Sequence, residues 1–475
     1  MPDHRNLILL TVLIGTLMSA VDTTITILAL PTMATDLKTD LFLAIWIIII
    51  YLLVIAVLTT QFGGLGDIYG RGRIFNLGFL VFTVGSAMCG FSPGIWYVIG
   101  SRGIQAVGAA LIQANGSAII ADYFNPRERG HAFGYIALGW NIGGTLGIVL
   151  GGIITTFLGW RMIFYINIPI GLIGFIIGLK YIKDDNRKPL KIDIRGMILL
   201  AVILAMLSYG ATDLAGRGVN QTDLTIIAVS IALFLPFLVL EKYADNPIIN
   251  LRAFREPNLT FSLLSSLTQA MGYLSVIFLL IMYLQGILGM DPLRASLLLV
   301  PGYIIASFLS PRLGRLSDRL GSRFIASAGI FLMACAVIIF MTLGLETPVY
   351  VIVVASIISG IGGSMFWPAN NSSVMTSTPK ELYGSISGLL RTLSSVGTLI
   401  SYVISISVAS LSVPRRVAFE VFLGTNSLSG NVSSAFLTGL HSAFLVCLMI
   451  LIISGILSFL RRSAKPRTSL PDSSA

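Results

Sequence analysis

Charge is what this chain has least of. Only 11% of its 475 residues are Asp, Glu, Lys or Arg, where an ordinary soluble domain carries about 25%. That deficit excludes a soluble fold: no globular core hides a chain that is 55% hydrophobic, so lipid is its solvent. Cysteine and histidine are also scarce. The three cysteines, Cys89, Cys335 and Cys447, fall in apolar runs without CxxC spacing and read as small core residues. His4, His131 and His441 stand far apart, which leaves no metal cluster and no nucleophile–base pair. An enzyme is therefore not expected, nor a metal, nor an organic cofactor. The net charge of +10 does not imply a nucleic-acid partner, because the basic residues sit in short loops between apolar runs, where membrane orientation accounts for them.

What is abundant is apolar sequence in lengths that cross a bilayer, about 20 residues each. Runs near 7–29, 41–62, 74–92, 95–121, 131–157, 162–180, 196–213, 224–240, 259–285, 294–310, 324–344, 348–375, 383–411 and 436–460 predict fourteen spans. The first run is too long for a signal-peptide core and carries Asp22, so it reads as helix 1. With the N-terminus inside, 23 of the 31 Lys and Arg fall on inside segments and 6 outside, while Arg102 and Arg391 lie within spans. This asymmetry predicts a multi-pass cell-membrane protein with both termini cytoplasmic.

The two halves of the chain echo each other. GGLGDIYGR (63–71) matches LGRLSDRLGS (313–322), QANGS (113–117) matches PANNS (368–372), and NPRERGHAFG (125–134) matches TPKELYGSISG (378–388). The offsets are 251, 255 and 253 residues, and chance matches would not keep one offset at three places. The expected organisation is a six-helix bundle over 1–183, a two-helix insert with flanking cytoplasmic loops over 184–257, a second six-helix bundle over 258–462, and a tail over 463–475. Paired bundles of this kind build alternating access in secondary transporters. The insert reads as peripheral.

Two charges deep in spans carry the chemistry. Asp22 lies about 12 Å below the outer end of helix 1, and Arg102 lies about 10 Å below the outer end of helix 4, at 1.5 Å per residue. An intramembrane charge costs at least about 2.5–3.5 kcal/mol and is usually paired. Asp22 and Arg102 are thus either a static clamp or a carboxyl that titrates beside a guanidinium. Gln113, Asn115, Asn141, Gln269, Tyr273, Trp367, Asn370 and Arg391 are the polar and aromatic residues deep within spans. They are candidate substrate contacts, with helix packing as the alternative for each. Aromatics and amides suit flat organic cations, whereas Arg391 calls for an acid, an anionic substrate group or a lipid phosphate.

Several motifs in order resemble one family. GGLGDIYGRGRIF (63–75) resembles the loop motif of the major facilitator superfamily between its helices 2 and 3, and IGSRGIQAVGAAL (99–111) resembles its helix 4 motif. VDTTITILALP (21–31) is similar to the helix 1 signature of its fourteen-span drug:proton antiporter branch. The helix 5 glycine motif appears as Gly143, Gly147, Gly151 and Gly152, with Ile148 where the family has proline. The resemblance implies an all-α membrane fold of two six-helix bundles plus two extra helices. It implies proton-coupled export of hydrophobic, cationic compounds, with Asp22 and Arg102 coupling the proton. An exporter of anionic or zwitterionic metabolites or lipids is the alternative. It also implies an inner gate from Gly63, Asp67, Gly70, Arg71 and Asp122, with Asp318 as the second-half counterpart. The helix 5 glycines read mostly as close helix packing, since small residues let helices approach in lipid, and would also provide a sliding surface between the bundles. The expected partners are a small-molecule substrate, protons and membrane lipids, and the expected working unit is a monomer.

Overall fold

The computed structural model describes residues 3–39, 41–124, 129–182, 192–217, 220–245, 247–249, 251–378, 383–410 and 430–461. Among these residues every regular element is helical. The α-helices are α1 (Asp3–Asp36), α2 (Leu41–Tyr69), α3 (Arg71–Gly90), α4 (Ile95–Tyr123), α5 (Arg129–Phe157), α6 (Met162–Tyr165), α7 (Asn167–Tyr181), α8 (Ile194–Arg217) and α9 (Gln221–Tyr243). They continue with α10 (Pro257–Tyr273), α11 (Val276–Ile281), α12 (Pro292–Leu320), α13 (Ser322–Phe340), α14 (Val349–Thr376), α15 (Tyr383–Ser410) and α16 (Gly430–Phe459). A 3₁₀ turn covers Leu251–Arg255 and a π-helical turn covers Met282–Ile287. Together they make fourteen helices long and apolar enough to cross a membrane.

Two boundaries differ from the sequence reading in ways that matter. Helix 1 does not stop near Leu30 but continues through Pro31 to Asp36, so Asp22 lies 14 residues from its end, about 21 Å by helical rise, rather than 8. Gly63–Tyr69 is not a loop: it forms the last turns of α2, and the chain breaks only at Gly70. Gly70 holds φ 108° and its amide closes α2 on the Gly66 carbonyl at 2.9 Å. Gly321 repeats this between α12 and α13, with φ 94° and the same closure on Ser317 at 2.9 Å. Only glycine takes such a φ without strain.

The repeat also appears in helix packing. Gly78 of α3 and Gly108 of α4 each lie against the other's carbonyl, a built Cβ meeting it at 3.0 and 2.8 Å. Gly329 of α13 and Gly362 of α14 do the same at 2.6 Å both ways. In lipid, where hydrophobic burial gives little drive between helices, such close backbone contact supplies the packing energy. The second half adds buried serine pairs between helices: Ser262 with Ser373 at 2.9 Å, Ser275 with Ser405 at 2.6 Å, and Ser265 with Ser454 at 3.3 Å.

The two inserted helices differ: α8 is held against both halves, and α9 lies outside it. Helix α8 packs on both α2 and α15, so it lies across the two halves. Ser407 of α15 donates to the Ala211 carbonyl at 2.7 Å, and the Asp193 amide donates to Gln61 of α2 at 3.0 Å. Helix α9 packs on α8 and turns Ile231, Leu235 and Val239 outward, all more than half exposed, as a lipid-facing helix should.

Candidate functional site

The centre of the first half is a sealed polar network. Asp22 (α1) and Arg102 (α4) are 0% and 1% exposed and meet at 2.6 Å, Nη1 to Oδ2. Gln105, one turn beyond Arg102, donates to Asp22 Oδ1 at 2.8 Å and to Ser86 of α3 at 2.5 Å. Its own Oε1 accepts from Arg102 Nη1 at 2.6 Å. Asn167, at the start of α7, donates to Asp22 Oδ1 at 3.1 Å. Arg102 further donates to the Ile47 carbonyl at 3.2 Å and lies 4.1 Å from the Tyr51 ring. The network is therefore built around one carboxylate that accepts from a guanidinium and two amides. Such charge-assisted bonds are the strong kind, and the buried pair is completed by further hydrogen bonds, as stability requires. Gln105, Ser86, Asn167 and Tyr51 were not among the sequence candidates. Each is a polar residue inside an apolar run, and that was the available signal.

At the end of the bundle where α2 closes and α3 begins, Arg71 joins three helices. Its Nε donates to Asp67 Oδ1 at 2.7 Å, and its Nη1 reaches both oxygens of Asp122 at 2.7 and 2.8 Å. All three side chains are about one-quarter to one-third exposed. Gly63 has nothing within 4 Å of a built Cβ, whereas at Gly66 that atom would meet Asn115 Cγ at 2.9 Å. The side chains of Asp318 and Arg319 lie outside the described residues.

The helix 5 glycines divide into two rows. Gly143, Gly147 and Gly151 face α1, beside Ala20, Val21 and Ile25, so they do not form a sliding surface between bundles. The adjacent row, Trp140, Gly144, Ile148 and Gly152, turns to the other half. A Cβ added at Gly144 would meet Tyr303 of α12 at 3.3 Å, and one at Gly152 would meet the Leu293 backbone at 3.0 Å. Thr145 and Ser307 share a hydrogen bond at 3.3 Å. Trp140 lies 5.2 Å from the guanidinium carbon of Arg391 on α15. Two further contacts close the seam: Thr60 with Thr392 at 2.5 Å, and Gln285 Nε2 with the Leu28 carbonyl at 3.1 Å. Gln285 sits in the π-helical turn, a distortion that often marks functional positions.

Of the substrate candidates, three are engaged within their own half. Asn115 donates to the Phe62 and Leu111 carbonyls at 3.1 and 2.9 Å, Gln269 to Met333 Sδ at 3.4 Å, and Asn370 accepts from Arg461 at 2.5 Å. Gln113, Asn141, Tyr273, Trp367 and Arg391 are half-buried. Trp367 packs edge-on against Phe366 at 5.4 Å. Trp140, against Arg391, and Tyr303, against Gly144, add two aromatic groups at the seam. Arg391 is paired with no acid among the described residues.

The motifs and the repeated bundles have their counterpart in a family model, the Major Facilitator Superfamily, which matches residues 12–402. The chain belongs to that superfamily. Its fourteen spans fit the fourteen-span drug:proton antiporter type. This facilitator is 32% identical over 394 residues to the riboflavin transporter RibZ of Clostridioides difficile, covering 82% of this chain and 84% of that one. It is 28% identical over 367 residues to the multidrug resistance protein Stp of Mycobacterium tuberculosis, covering 76% and 67%. It is 26% identical over 450 residues to the putative multidrug resistance protein MdtD of Escherichia coli, covering 94% of both. Among solved structures, a bacterial homologue of the lysosomal transporter Spinster shares the fold with a TM-score of 0.66 and 17% identity over 96% of this chain and 97% of that one. Human MFSD10, an organic anion transporter, does so at 0.63 and 14% over 96% and 99%. The facilitator is thus a membrane transporter and not an enzyme.

Proposed function

We propose that this facilitator is a proton-coupled exporter of flat, hydrophobic organic compounds in the cell membrane, with both termini cytoplasmic. Asp22 takes the proton and Arg102 responds to its charge. The substrate travels at the seam, beside Trp140, Arg391 and Tyr303. One observation carries the substrate class: Arg391 stacks on Trp140 between the two halves and pairs with no carboxylate among the described residues. A cation in the same place would meet like charge, so a neutral or anionic aromatic compound is favoured. A flavin, the substrate in the name of RibZ, has a planar ring system of that kind. Asp22, the only acid deep in a span, is fully enclosed and unable to serve a cation in this state. The second reading, export of hydrophobic cations, is favoured by the names of Stp and MdtD.

The test is transport by purified protein in liposomes under an imposed pH gradient, with riboflavin, an anionic xanthene dye and ethidium as substrates. Riboflavin or the anionic dye should move with the gradient, should stop in Asp22→Asn, and should lose affinity in Arg391→Gln. Ethidium transport that survives Arg391→Gln unchanged favours the second reading. Gradient-driven transport by Asp22→Asn removes Asp22 as the proton site.

A further inference from the structure

A second pair of acids lies outside the network just described. Asp193 precedes α8 and Glu241 ends α9, at the face that carries the chain ends. Glu241 is 2% exposed. Two of the four carboxyl oxygens have donors: Asp193 Oδ1 caps α8 through the Gly196 amide at 2.8 Å, and Glu241 Oε2 accepts from the Ile249 amide at 2.7 Å, while the Asp193 backbone amide donates to Gln61 at 3.0 Å. The remaining oxygens, Asp193 Oδ2 and Glu241 Oε1, are both buried and have no donor. They converge on one point, because a Cβ added to Gly196 would strike both, and the two side chains are within hydrogen-bonding reach.

Among the described residues no cation pairs with them. The only charged side chain of α2, Asp67, is held by Arg71. Near this end α8 offers Arg195 and α9 offers Lys242, both exposed. The segment 247–249 has no charge, and Asp245 and Arg255 are exposed. The other charged residues of α8 and α9, Asp213, Arg217 and Asp223, lie at the opposite ends of those helices. Among the described residues neither acid forms an ion pair. Two carboxylates in contact, each with one buried oxygen that has no donor among the described residues, cannot both stay ionised, and a buried acceptor without a donor is itself unfavourable. One proton between Oδ2 and Oε1 satisfies both oxygens at once.

We propose that Asp193 and Glu241 form a second proton-binding site, one shared proton joining α8 to α9 on the side of the membrane that carries the termini. Through Gln61 the pair is fastened to α2, one residue from Thr60, which touches Thr392 of the other half. A proton taken up or lost here therefore tightens or frees the insert beside a contact between the bundles. The site does not depend on any role of Asp22.

The test is infrared spectroscopy of the full-length Asp22→Asn protein in detergent, where the central acid is silent. A carboxylic C=O component should persist at neutral pH, shift in heavy water, and be lost when either Glu241→Gln or Asp193→Asn is added. A component that remains in both variants, or its absence at neutral pH before they are made, overturns the proposal. A second measurement needs no change at the pair: dicyclohexylcarbodiimide reacts with protonated carboxyls in apolar surroundings, joining carboxyl and carbodiimide as an N-acylurea. Mass spectrometry of the treated protein should find the adduct on Glu241 or Asp193 at neutral pH and lose it at alkaline pH. Labelling of other acids with neither of these two modified overturns it.

Discussion

Replacing Asp22 with Asn keeps the side-chain shape and removes its charge, so the consequences can be worked from the network. The Asn oxygen can still accept from Gln105 or Asn167, and a lost or weakened hydrogen bond of that kind is worth about 0.5–1.5 kcal/mol. The larger effect falls on Arg102. It keeps Gln105 Oε1 at 2.6 Å, the Ile47 carbonyl at 3.2 Å and the Tyr51 ring at 4.1 Å, but no second carboxylate approaches it among the described residues. Removing one partner of a buried pair costs about 3–5 kcal/mol, because a charge is left uncompensated. Removing both charges, with Arg102→Gln added, should restore most of that loss, since replacing a whole buried pair is often near neutral. Equilibrium unfolding of the purified protein in mixed detergent micelles measures both. The single variant should fall by about 3–5 kcal/mol and the double variant by less than about 1.5 kcal/mol, while neither transports against a gradient. If the single variant loses less than about 1 kcal/mol, the pair is not what neutralises Arg102, and the argument for a coupled charge site fails. If the double variant still transports with the pH gradient, the pair is a clamp and coupling lies elsewhere.

Three other outcomes are expected. Gly147→Ala should destabilise by about 1–3 kcal/mol, the usual range for overpacking, because the new methyl meets Val21 O at 2.8 Å; Gly63→Ala, with open space around it, should be neutral or stabilising by up to about 1 kcal/mol, and unfolding midpoints compare them. Thr60→Cys with Thr392→Cys, in protein whose Cys89, Cys335 and Cys447 are changed to Ser, should cross-link on oxidation and arrest transport until reduced; transport that continues in fully cross-linked protein means this contact does not open. Burial pushes the Arg461 guanidinium, beyond the last span, down to about 9, and leaves its Nε and Nη1 without partners among the described residues. The charged form is the one disfavoured in the fold, so the penalty is complete below about pH 9 and relieved as pH rises from there towards the ordinary guanidinium range; Arg461→Gln should raise the unfolding midpoint at pH 7, with the advantage shrinking above pH 9.

The sequence made some parts of this legible for physical reasons that can be named. Span positions were readable because lipid demands about 20 apolar residues from any helix that crosses it, and this chain breaks those runs with Gly, Pro and charge. Asp22 and Arg102 were readable because each is a lone charge in such a run. Helix ends were not, because α2 and α12 continue past the apolar stretch into polar sequence that hydropathy does not count. Partners were not readable either. Asn167 and Gln105 are ordinary polar residues until folding places both on one carboxylate, and Asp193 and Glu241 are 48 positions apart in sequence and looked like parts of two solvated loops. The two rows of α5 were hidden for a related reason: Gly143 and Gly144 are neighbours in sequence and about 100° apart around the helix.

Those two rows give α5 its place in the mechanism. Through Gly143, Gly147 and Gly151 it lies in backbone contact with α1, the helix that carries Asp22. Through Trp140, Gly144 and Gly152 it touches Arg391 and α12 across the seam. A change in the charge of Asp22 alters what holds α1 to α4 and α7, and α1 cannot shift without moving the helix pressed against its backbone. Coupling between separated sites requires an element that both sites bias, and α5 is in contact with both. Ile148, fully buried in the outward row where the superfamily motif has proline, keeps its amide available for the helix's own hydrogen bonding, which a proline would remove with a kink. On the proposed function, an α5 without that kink would carry a displacement of α1 to the seam. Ile148→Pro should therefore leave the Asp22–Arg102 pair intact and slow the exchange between open faces, and a pH-gradient transport rate equal to the parent's would show that this helix does not carry the coupling.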